Sequence, residues 1–336
     1  MNAAASSICI VCGSGMSVFI DKIWDDRYGC PGMFSIQRCP VCTQMATTPP
    51  LKESDLPALY STYYPRRSVE FENLEKEASK VLEPYAKTRR WLAGTDNQGH
   101  YLAKPGQKVL DIGSGSCLSL LEQRNLGVEG YGVEADPNVR RIADHFNLRV
   151  HVGSIHNQPF PGETFDMIVL NQVIEHVPDP EALMLNIRDR LKPGGRAVMS
   201  FPNAASLQRK LSGHKWINWH VPYHQHHFNR QSFRKLAEKA GYEVVRARTI
   251  TPNLWSVLQL RAMAENTTEG QASGGWSSGS VAAQRISFVT RVKKGLARRM
   301  SKLLTFAMIV VNRTVDMLGQ GDSLLIELRA RRDTNR

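Results

Sequence analysis

The sequence predicts an α/β fold: a mostly parallel sheet with helices on both faces, a small cysteine-bearing unit ahead of it, and a helical insertion before its last strand. Three observations carry this expectation. From residue 108 onward, short apolar runs alternate with amphipathic stretches, the pattern of strand–helix–strand units. A Gly-x-Gly turn separates the first run from the first helix. Four of the six cysteines fall in two Cys-x-x-Cys pairs near the start.

With 336 residues and 42% hydrophobic content, the chain has ample material for a core and can hold one large domain with additions, or two domains. Composition shifts divide it into residues 1–48, a ribbon-like unit; 49–105, a linker and helices; 106–250, an α/β core; 251–321, a loop and a basic helical insertion; and 322–336, a last core strand with a basic tail. The net charge of +12 points to an acidic partner: phosphate, nucleic acid or an anionic membrane surface. That charge is uneven, because residues 285–315 hold eight Lys or Arg and no acid. Met1 to Cys12 has neither a basic start nor a long apolar core, so no secretory signal is expected. No apolar run reaches the roughly 18–20 residues that span a bilayer. The expected location is cytoplasmic.

Cys9-Ile10-Val11-Cys12 and Cys39-Pro40-Val41-Cys42 are separated by 26 residues. Each pair can turn two thiolates onto one metal, and two pairs complete a closed tetrahedral site, so Cys9, Cys12, Cys39 and Cys42 are expected to hold a structural zinc. A redox dithiol would need one pair in a thioredoxin-like setting, which is absent. Cys30 is a spare thiol or a replacement ligand. Past Pro49-Pro50, the run Leu59-Tyr60-Ser61-Thr62-Tyr63-Tyr64 suits packing between this unit and the core. Leu74, Ala78, Val81, Leu82 and Tyr85 recur at helical spacing, and Pro84 starts a second helix running to Trp91 and Leu92.

The centre of the chain is Lys108-Val109-Leu110-Asp111-Ile112-Gly113-Ser114-Gly115. Val109 to Ile112 reads as a buried strand, the glycines let the backbone approach a ligand, and the helix from Leu118 turns its free N–H groups to the same spot. A dinucleotide fingerprint needs Gly or Ala three residues after Gly115, and Leu118 stands there. Glu134 ends a second strand 19 residues after Gly115, where a carboxylate can accept both hydroxyls of a ribose. Further strands are expected at 149–152, 165–170, 196–201 and 243–250. Asp179-Pro180-Glu181 starts a helix that Pro193-Gly194-Gly195 ends, and another helix spans 231–240.

Asp111, Gly-x-Gly and Glu134, with the block Phe165 to Val177, resemble the class I S-adenosylmethionine (SAM) dependent methyltransferases over roughly residues 108–203. The cysteine pairs, the proline break and the tyrosine run look like the members with an N-terminal zinc ribbon found in sugar and cell-surface polysaccharide pathways. The resemblance implies a Rossmann-like seven-stranded methyltransferase sheet and SAM as cofactor. It places Gly113, Ser114 and Gly115 against the methionine and ribose portion, Asp111 behind that loop or at the methionine amine, Glu134 on the ribose, Ser154 and Ile155 at the adenine edge, and Asn171 near the methyl group. The family often has an acid where Ser154 stands. The acceptor implied is a small molecule, sugar or glycan.

Residues 216–228 are dense in rings, and the resemblance suggests an active-site lid there, with His224 and His227 near the acceptor. A neutral histidine can serve as general base; the bland reading is that His227 and Phe228 anchor the loop. Metal binding lacks a carboxylate or cysteine at ligand spacing. Residues 251–279 read as a Gly/Ser/Thr-rich loop, 283–318 as a basic helix, and 322–328 as the last, antiparallel strand. That helix, over 285–318, suits an anionic membrane face, with Arg291, Lys293, Lys294, Arg298, Arg299 and Lys302 beside Phe288, Val292, Leu296, Leu303, Phe306 and Ile309; the other reading packs its apolar face on the sheet or on a second subunit. An RNA methyltransferase using the ribbon to bind RNA is the rival enzyme reading. Against it, Asn171-Gln172-Val173-Ile174 lacks the Pro-Pro-aromatic sequence of many enzymes that methylate base amino groups. A SAM-binding protein without turnover is the non-enzymatic one.

Overall fold

The computed structural model describes residues 7–64, 69–273, 276 and 293–331; the side chains of 53, 57 and 293–304 fall outside that description. Eleven strands among the described residues form two sheets. The larger contains β4 (Lys108–Ile112), β5 (Glu129–Glu134), β6 (Arg149–Val152), β7 (Phe165–Asn171), β8 (Leu191–Pro202), β10 (Tyr242–Ile250) and β11 (Ser323–Ala330), in the order β10-β11-β8-β7-β4-β5-β6. β6 through β8 are parallel, and β11 runs antiparallel to both its neighbours. This is the Rossmann-like seven-stranded sheet expected from the sequence.

Alternation along the central strands separates two apolar layers. Leu110, Ile112, Ile168 and Leu170 join Leu183 and Ile187 of α6 (Pro180–Asp189) and Phe233 and Leu236 of α8 (Arg230–Lys239). Val109, Met167 and Val169 face the other way, toward Leu102 and Val128. Asp111 points to this second side too, and is 1% exposed. On it also lie α2 (Phe71–Ser79) and α4 (Leu118–Asn125), joined by α5 (Val139–His145) through Leu74, Leu120 and Ile142.

The smaller sheet has the order β1 (Ser17–Ile23), β2 (Phe34–Arg38), β3 (Met45–Thr48), β9 (His226–His227), all antiparallel. Its fourth strand comes from far along the chain, so residues 1–48 do not close their own sheet: Met45 pairs with His227 and Ala46 with His226.

Several local expectations need correction. The first helical stretch breaks into α2, a single 3-10 turn at Lys80–Leu82, and α3 (Ala86–Ala93). Tyr85 adopts φ +60° after Pro84, which turns Leu82 and Tyr85 out to solvent. Pro193-Gly194-Gly195 does not end α6, which stops at Asp189; these residues form a bulge in β8 between the pairs Phe165–Leu191 and Met167–Arg196. Residues 216–228 are no surface lid. Trp216, Trp219, Tyr223 and Phe228 are fully buried, forming a fixed wall between the two sheets. The stretch 251–279 contains α9 (Asn253–Ala264), held inward by Gln259 to Ile217 N and Lys215 O rather than by an apolar stripe. The last helix is α10 (Lys293–Met317); residues 283–292, including Phe288, Arg291 and Val292, lie outside the described residues, as does the basic tail from 332.

Asp322, at the mouth of β11, ties the wall down. Its carboxylate accepts from Ser206 Oγ (2.6 Å), Trp216 Nε1 (2.9 Å) and Asn218 Nδ2 (2.8 Å). Asp322→Ala leaves three buried donors without an acceptor, so a loss of about 3 kcal/mol or more of unfolding free energy is expected. A denaturant midpoint equal to that of the parent protein would refute this anchoring role.

Candidate active site

The parallel strands end together at Ile112, Glu134, Val152 and Asn171, the edge where open α/β sheets take ligands. Gly113 and Gly115 hold φ +75° and +54°. A Cβ on Gly113 would sit 2.5 Å from Val173 Cγ2, whereas one on Gly115 would meet nothing within 4 Å. The turn is thus packed on the loop after β7 at one residue and open at the other. Glu134 spans this opening: Oε2 accepts from Gly115 N (2.8 Å) and Oε1 from Asp136 N (2.9 Å).

Beneath the turn, Asp111 accepts from Ser119 Oγ through Oδ2, while its Oδ1 and the Ser114 hydroxyl, both buried, have no partner. Burial pushes the Asp111 carboxyl up to about 6, against the opposing charge of His100. Ser154 Oγ caps the following turn by accepting from His156 N (3.2 Å), and Ile155 is buried. Asn171 Oδ1 accepts from Gly99 N (2.7 Å), fastening Gly99–Leu102 against the end of β7. Asp111, Gly113, Ser114, Gly115 and Glu134 therefore gather round one opening, with Asn171 across it and Ser154 and Ile155 at the exit of β6. An open glycine turn ringed by unpaired polar atoms fits an adenosyl cosubstrate.

Opposite the turn is a cluster in which sequence reading found only the histidine-rich strand. Glu175 and His176, at the end of the β7 loop, meet His224 of the buried wall, and one ligand atom from each lies within 4.8 Å of the others. Gln225 and His226 N–H groups donate to the Glu175 carbonyl (2.8 and 3.1 Å), fixing the two segments together. Neither carboxylate oxygen of Glu175 has a hydrogen-bond partner. Burial drives its carboxyl up to about 8 and holds His176 down to about 4. Burial, with His176 and His227 nearby, also keeps His224 well below its ordinary value.

Aromatic rings complete the surroundings. Tyr60 of α1 (Leu56–Thr62), Tyr64, Tyr28, Tyr223 and His220 pack edge-on or tilted at centroid distances of 4.7–6.2 Å. The Tyr60 hydroxyl lies 2.9 Å from His176 Nδ1. Burial, then the charges of Tyr64, Glu175 and Glu134, raise its pKa. The Tyr223 hydroxyl and His220 Nε2 are buried without partners. His227 stands apart: Nε2 is 3.0 Å from Thr47 Oγ1 and its ring lies on Trp219. The signal for Glu175 and His176 in the sequence was their adjacency to the exit of the fourth strand; nothing local tied them to residue 224.

At the far end, Cys9 Sγ lies 3.4 Å from Cys42 Sγ and Cys12 Sγ 3.4 Å from Cys39 Sγ, all four sulfurs falling within 4.8 Å. Zinc–sulfur bonds of about 2.3 Å in a tetrahedron separate sulfurs by about 3.8 Å, so the group fits a closed metal site. Cys30 is elsewhere, packed with Leu59 and Tyr223.

The family described as "Methyltransferase domain" matches residues 83–247. A ubiquinone biosynthesis O-methyltransferase of Cereibacter sphaeroides (strain ATCC 17025 / ATH 2.4.3) is 30% identical over 165 residues, covering 45% of this chain and 67% of that protein. One from Xanthomonas campestris pv. campestris (strain B100) is 29% identical over 151 residues, 42% and 62% of the two chains. Among solved structures, Haemonchus contortus phosphoethanolamine N-methyltransferase 2 in complex with S-adenosyl-L-methionine aligns over 81% of this chain and 62% of its own, at 16% identity and a TM-score of 0.44. In no described helix is there a stretch long and apolar enough to cross a membrane. With an open glycine turn, a strand-end carboxylate over it, the matching methyltransferase domain and the relative at 30% identity, the chain belongs to the class I SAM-dependent methyltransferases and is an enzyme of that class.

Proposed function

We propose that this enzyme methylates a hydroxyl of a small-molecule acceptor held between the tyrosine wall and the loop after β7. The observation that carries the reading is the Tyr60 hydroxyl, 2.9 Å from Nδ1 of His176, the residue next along the chain from the unpartnered Glu175 carboxylate. SAM, when bound, supplies a methyl group already activated on a sulfonium centre. Glu134 accepts the ribose hydroxyls, Gly113 to Gly115 face the methionine and ribose portion, and Asp111 acts on the methionine amine through Ser114. Ser154 and Ile155 border the adenine. Asn171 holds the floor beside the methyl group. The buried wall excludes water and fixes the acceptor for in-line attack.

On the acceptor side, His224 is the polar group that faces the hydroxyl proton. Its Nδ1 lies 2.9 Å from the Asn218 carbonyl, which leaves Nε2 as the proton-accepting nitrogen. His227, engaged by Thr47 and Trp219, holds the wall in place behind it. The relatives' hydroxyl chemistry and the rings of Tyr28, Tyr60 and Tyr223 support an acceptor with a flat or sugar-like ring, and the zinc-ribbon resemblance supports the sugar or glycan end of that class. Turnover of SAM with phenolic, quinol and nucleotide-sugar hydroxyls, and with nuclease-treated extract, tests this. Methyl ethers from a low-molecular-weight hydroxyl are expected. Product found only on RNA, or only on amines, would overturn it.

A structural zinc on Cys9, Cys12, Cys39 and Cys42 belongs to the same reading, since a closed thiolate set leaves no position for substrate. α10 supports a second element, attachment to an anionic membrane. Its inward side is polar, with Asn312 bonded to Asn253 and Arg313 to the Trp91 carbonyl, while Phe306, Val310, Val311 and Met317 are exposed. The apolar face is therefore not used for packing in the described half. In the sequence, its spacing continues back through Leu303, Leu296 and Val292 among five cations, Lys293, Lys294, Arg298, Arg299 and Lys302, each contributing about 1 kcal/mol at an anionic surface. Flotation with anionic but not neutral liposomes, abolished by high salt, is the expected result. Equal recovery with both, or with neither, refutes it.

A further inference from the structure

A second opening lies away from the glycine turn, where the ribbon meets the core. It is a cleft of about 450 Å3 at the exit of β8, and its described lining includes Arg38, Arg209, Lys210 and Arg230 but no acid. We infer that this cleft binds a small phosphate-bearing ligand with the charge of a diphosphate, which bridges the ribbon and the core. The inference goes beyond methyl transfer, because none of the described lining residues belongs to the glycine turn or to the wall at 216–228.

The cations come from three places in the sequence. Arg38 ends β2, Arg209 and Lys210 lie in α7 (Leu207–Ser212), and Arg230 opens α8. Among the described residues, none of the four forms an ion pair. The Arg38 and Arg209 guanidiniums both reach one ring, 5.8 and 5.7 Å from the centroid of Phe19. Arg209 is fixed there by its Nε, which donates to the Ala204 carbonyl at 2.8 Å and leaves the two terminal nitrogens of its fork uncommitted. Burial, then the like charge of Arg38, lowers the Arg209 pKa. An anion shared by the two guanidiniums offsets both penalties. Solubility alone does not call for like charges gathered round one hollow, since they repel one another.

The chemistry favours phosphate. Guanidinium forks match phosphate oxygens in pairs, and the Lys210 ammonium adds a point charge. Arg230 stands at the positive end of α8, where the N–H groups of Gln231 and Ser232 already donate to Asn229 Oδ1 (2.9 and 3.0 Å). That helix therefore contributes its field, not a separate cradle. Met45, Ala204 and Leu324 give the cleft an apolar side for the rest of the ligand, and its size falls in the range of small-ligand sites, about 300–1,000 Å3. A nucleic-acid strand asks for a basic groove that tracks its backbone, whereas these cations converge on one hollow from two units. The hollow also has a mechanical position. Arg38 precedes Cys39 and Thr43 follows Cys42, so the thiolate cluster fixes one bank. A ligand tying Arg38 to Arg209 and Arg230 holds that bank on the core, beside the Phe19–Trp219 contact (6.3 Å) that leads to the wall.

Pyrophosphate is the probe, since it carries the charge without an adenosyl group that enters the glycine turn. The full chain, carrying its ribbon zinc, is titrated with pyrophosphate by calorimetry. One saturable site per chain is expected, with a dissociation constant on the order of 10 μM. Arg38→Gln and Arg230→Gln should each weaken it by about fivefold or more. Lys104→Gln, which removes an exposed charge outside the cleft, should leave it within about twofold. SAM affinity and zinc content, measured on every protein, report folding and exclude zinc extraction as the source of the heat. Absence of saturable binding by the parent chain overturns the site. So does a loss in Lys104→Gln as large as in the cleft variants, which would reduce binding to a diffuse field. If Arg38→Gln loses its zinc, Arg230→Gln decides, because Arg230 lies outside the ribbon. A single-stranded RNA of about 20 nucleotides that binds more tightly than pyrophosphate, and weakens in the same variants, would assign the cleft to nucleic acid and overturn the small-ligand reading.

Discussion

Replacing Cys39 and Cys42 together by serine is expected to strip about one zinc ion from each chain and to abolish methyl transfer, while SAM binding persists. The reason lies in what hangs on β3. Its residues pair with His226 and His227, its Thr47 N–H donates to the Gln225 carbonyl at 3.0 Å, and its Thr47 hydroxyl donates to the His224 carbonyl at 2.6 Å. Asn229 reaches back to the Thr43 carbonyl at 3.2 Å from the other side. The strand that follows the acceptor-side histidine, His224, is thus the outer strand of the ribbon's sheet. Zinc thiolate sites contribute on the order of 10 kcal/mol to folding of the unit that holds them, far more than the handful of hydrogen bonds at β9 could offset. The glycine turn depends on a different set of contacts, β4 against β5 and β7. Its affinity for SAM should therefore change by no more than about twofold. Two measurements settle the matter: zinc by metal analysis, and SAM affinity by calorimetry. Full methylation activity in a zinc-free double variant would sink the coupling, and loss of SAM binding would show that the ribbon supports the whole core.

The residues that expressed themselves locally were legible in the sequence. Val109 to Ile112 is buried by its own apolar run, Gly113 and Gly115 take positive φ that side chains resist, and Asp179-Pro180 carries its own cap, accepting from Ala182 N at 2.9 Å. Each thiolate pair is likewise a short-range signal. What stayed hidden depended on partners far along the chain. β9 is two residues long and exists because β3 offers an edge 180 residues earlier. The Glu175–His176–His224 group needs the same docking, and nothing in the sequence near His224 points to Glu175. α9 escaped notice because a glutamine, not a leucine stripe, turns it inward. The docking of α10 was hidden for a related reason. Its inward contacts are Asn312, Arg313 and Asp316 against Asn253, Thr251 and the Trp91 carbonyl, so polar chemistry, rather than the apolar stripe, docks it on the core.

Glu134→Ala is expected to weaken SAM binding by at least about tenfold and to leave the fold intact. In the free protein both carboxylate oxygens already accept backbone N–H groups, from Gly115 and from Asp136. The carboxylate holds the glycine turn at the strand edge, and in the proposed reading its remaining lone pairs take the ribose hydroxyls. A charge-assisted hydrogen bond is worth about 1.5–3 kcal/mol, and 1.4 kcal/mol is a factor of ten, so loss of one ribose bond alone reaches the expected effect. The two roles separate by substitution. Glu134→Gln keeps an acceptor oxygen for one N–H but gives up the charge, so it should fall between the parent and Glu134→Ala. Because the side chain is only half-buried and supports no apolar layer, thermal stability should shift little in either variant. Calorimetry with SAM on the three proteins, each checked by thermal melting, gives the answer. Equal affinity in parent and Glu134→Ala would remove Glu134 from the cosubstrate site, and a Glu134→Gln protein as weak as Glu134→Ala would mean that the charge, rather than the hold on Gly115, accounts for the binding.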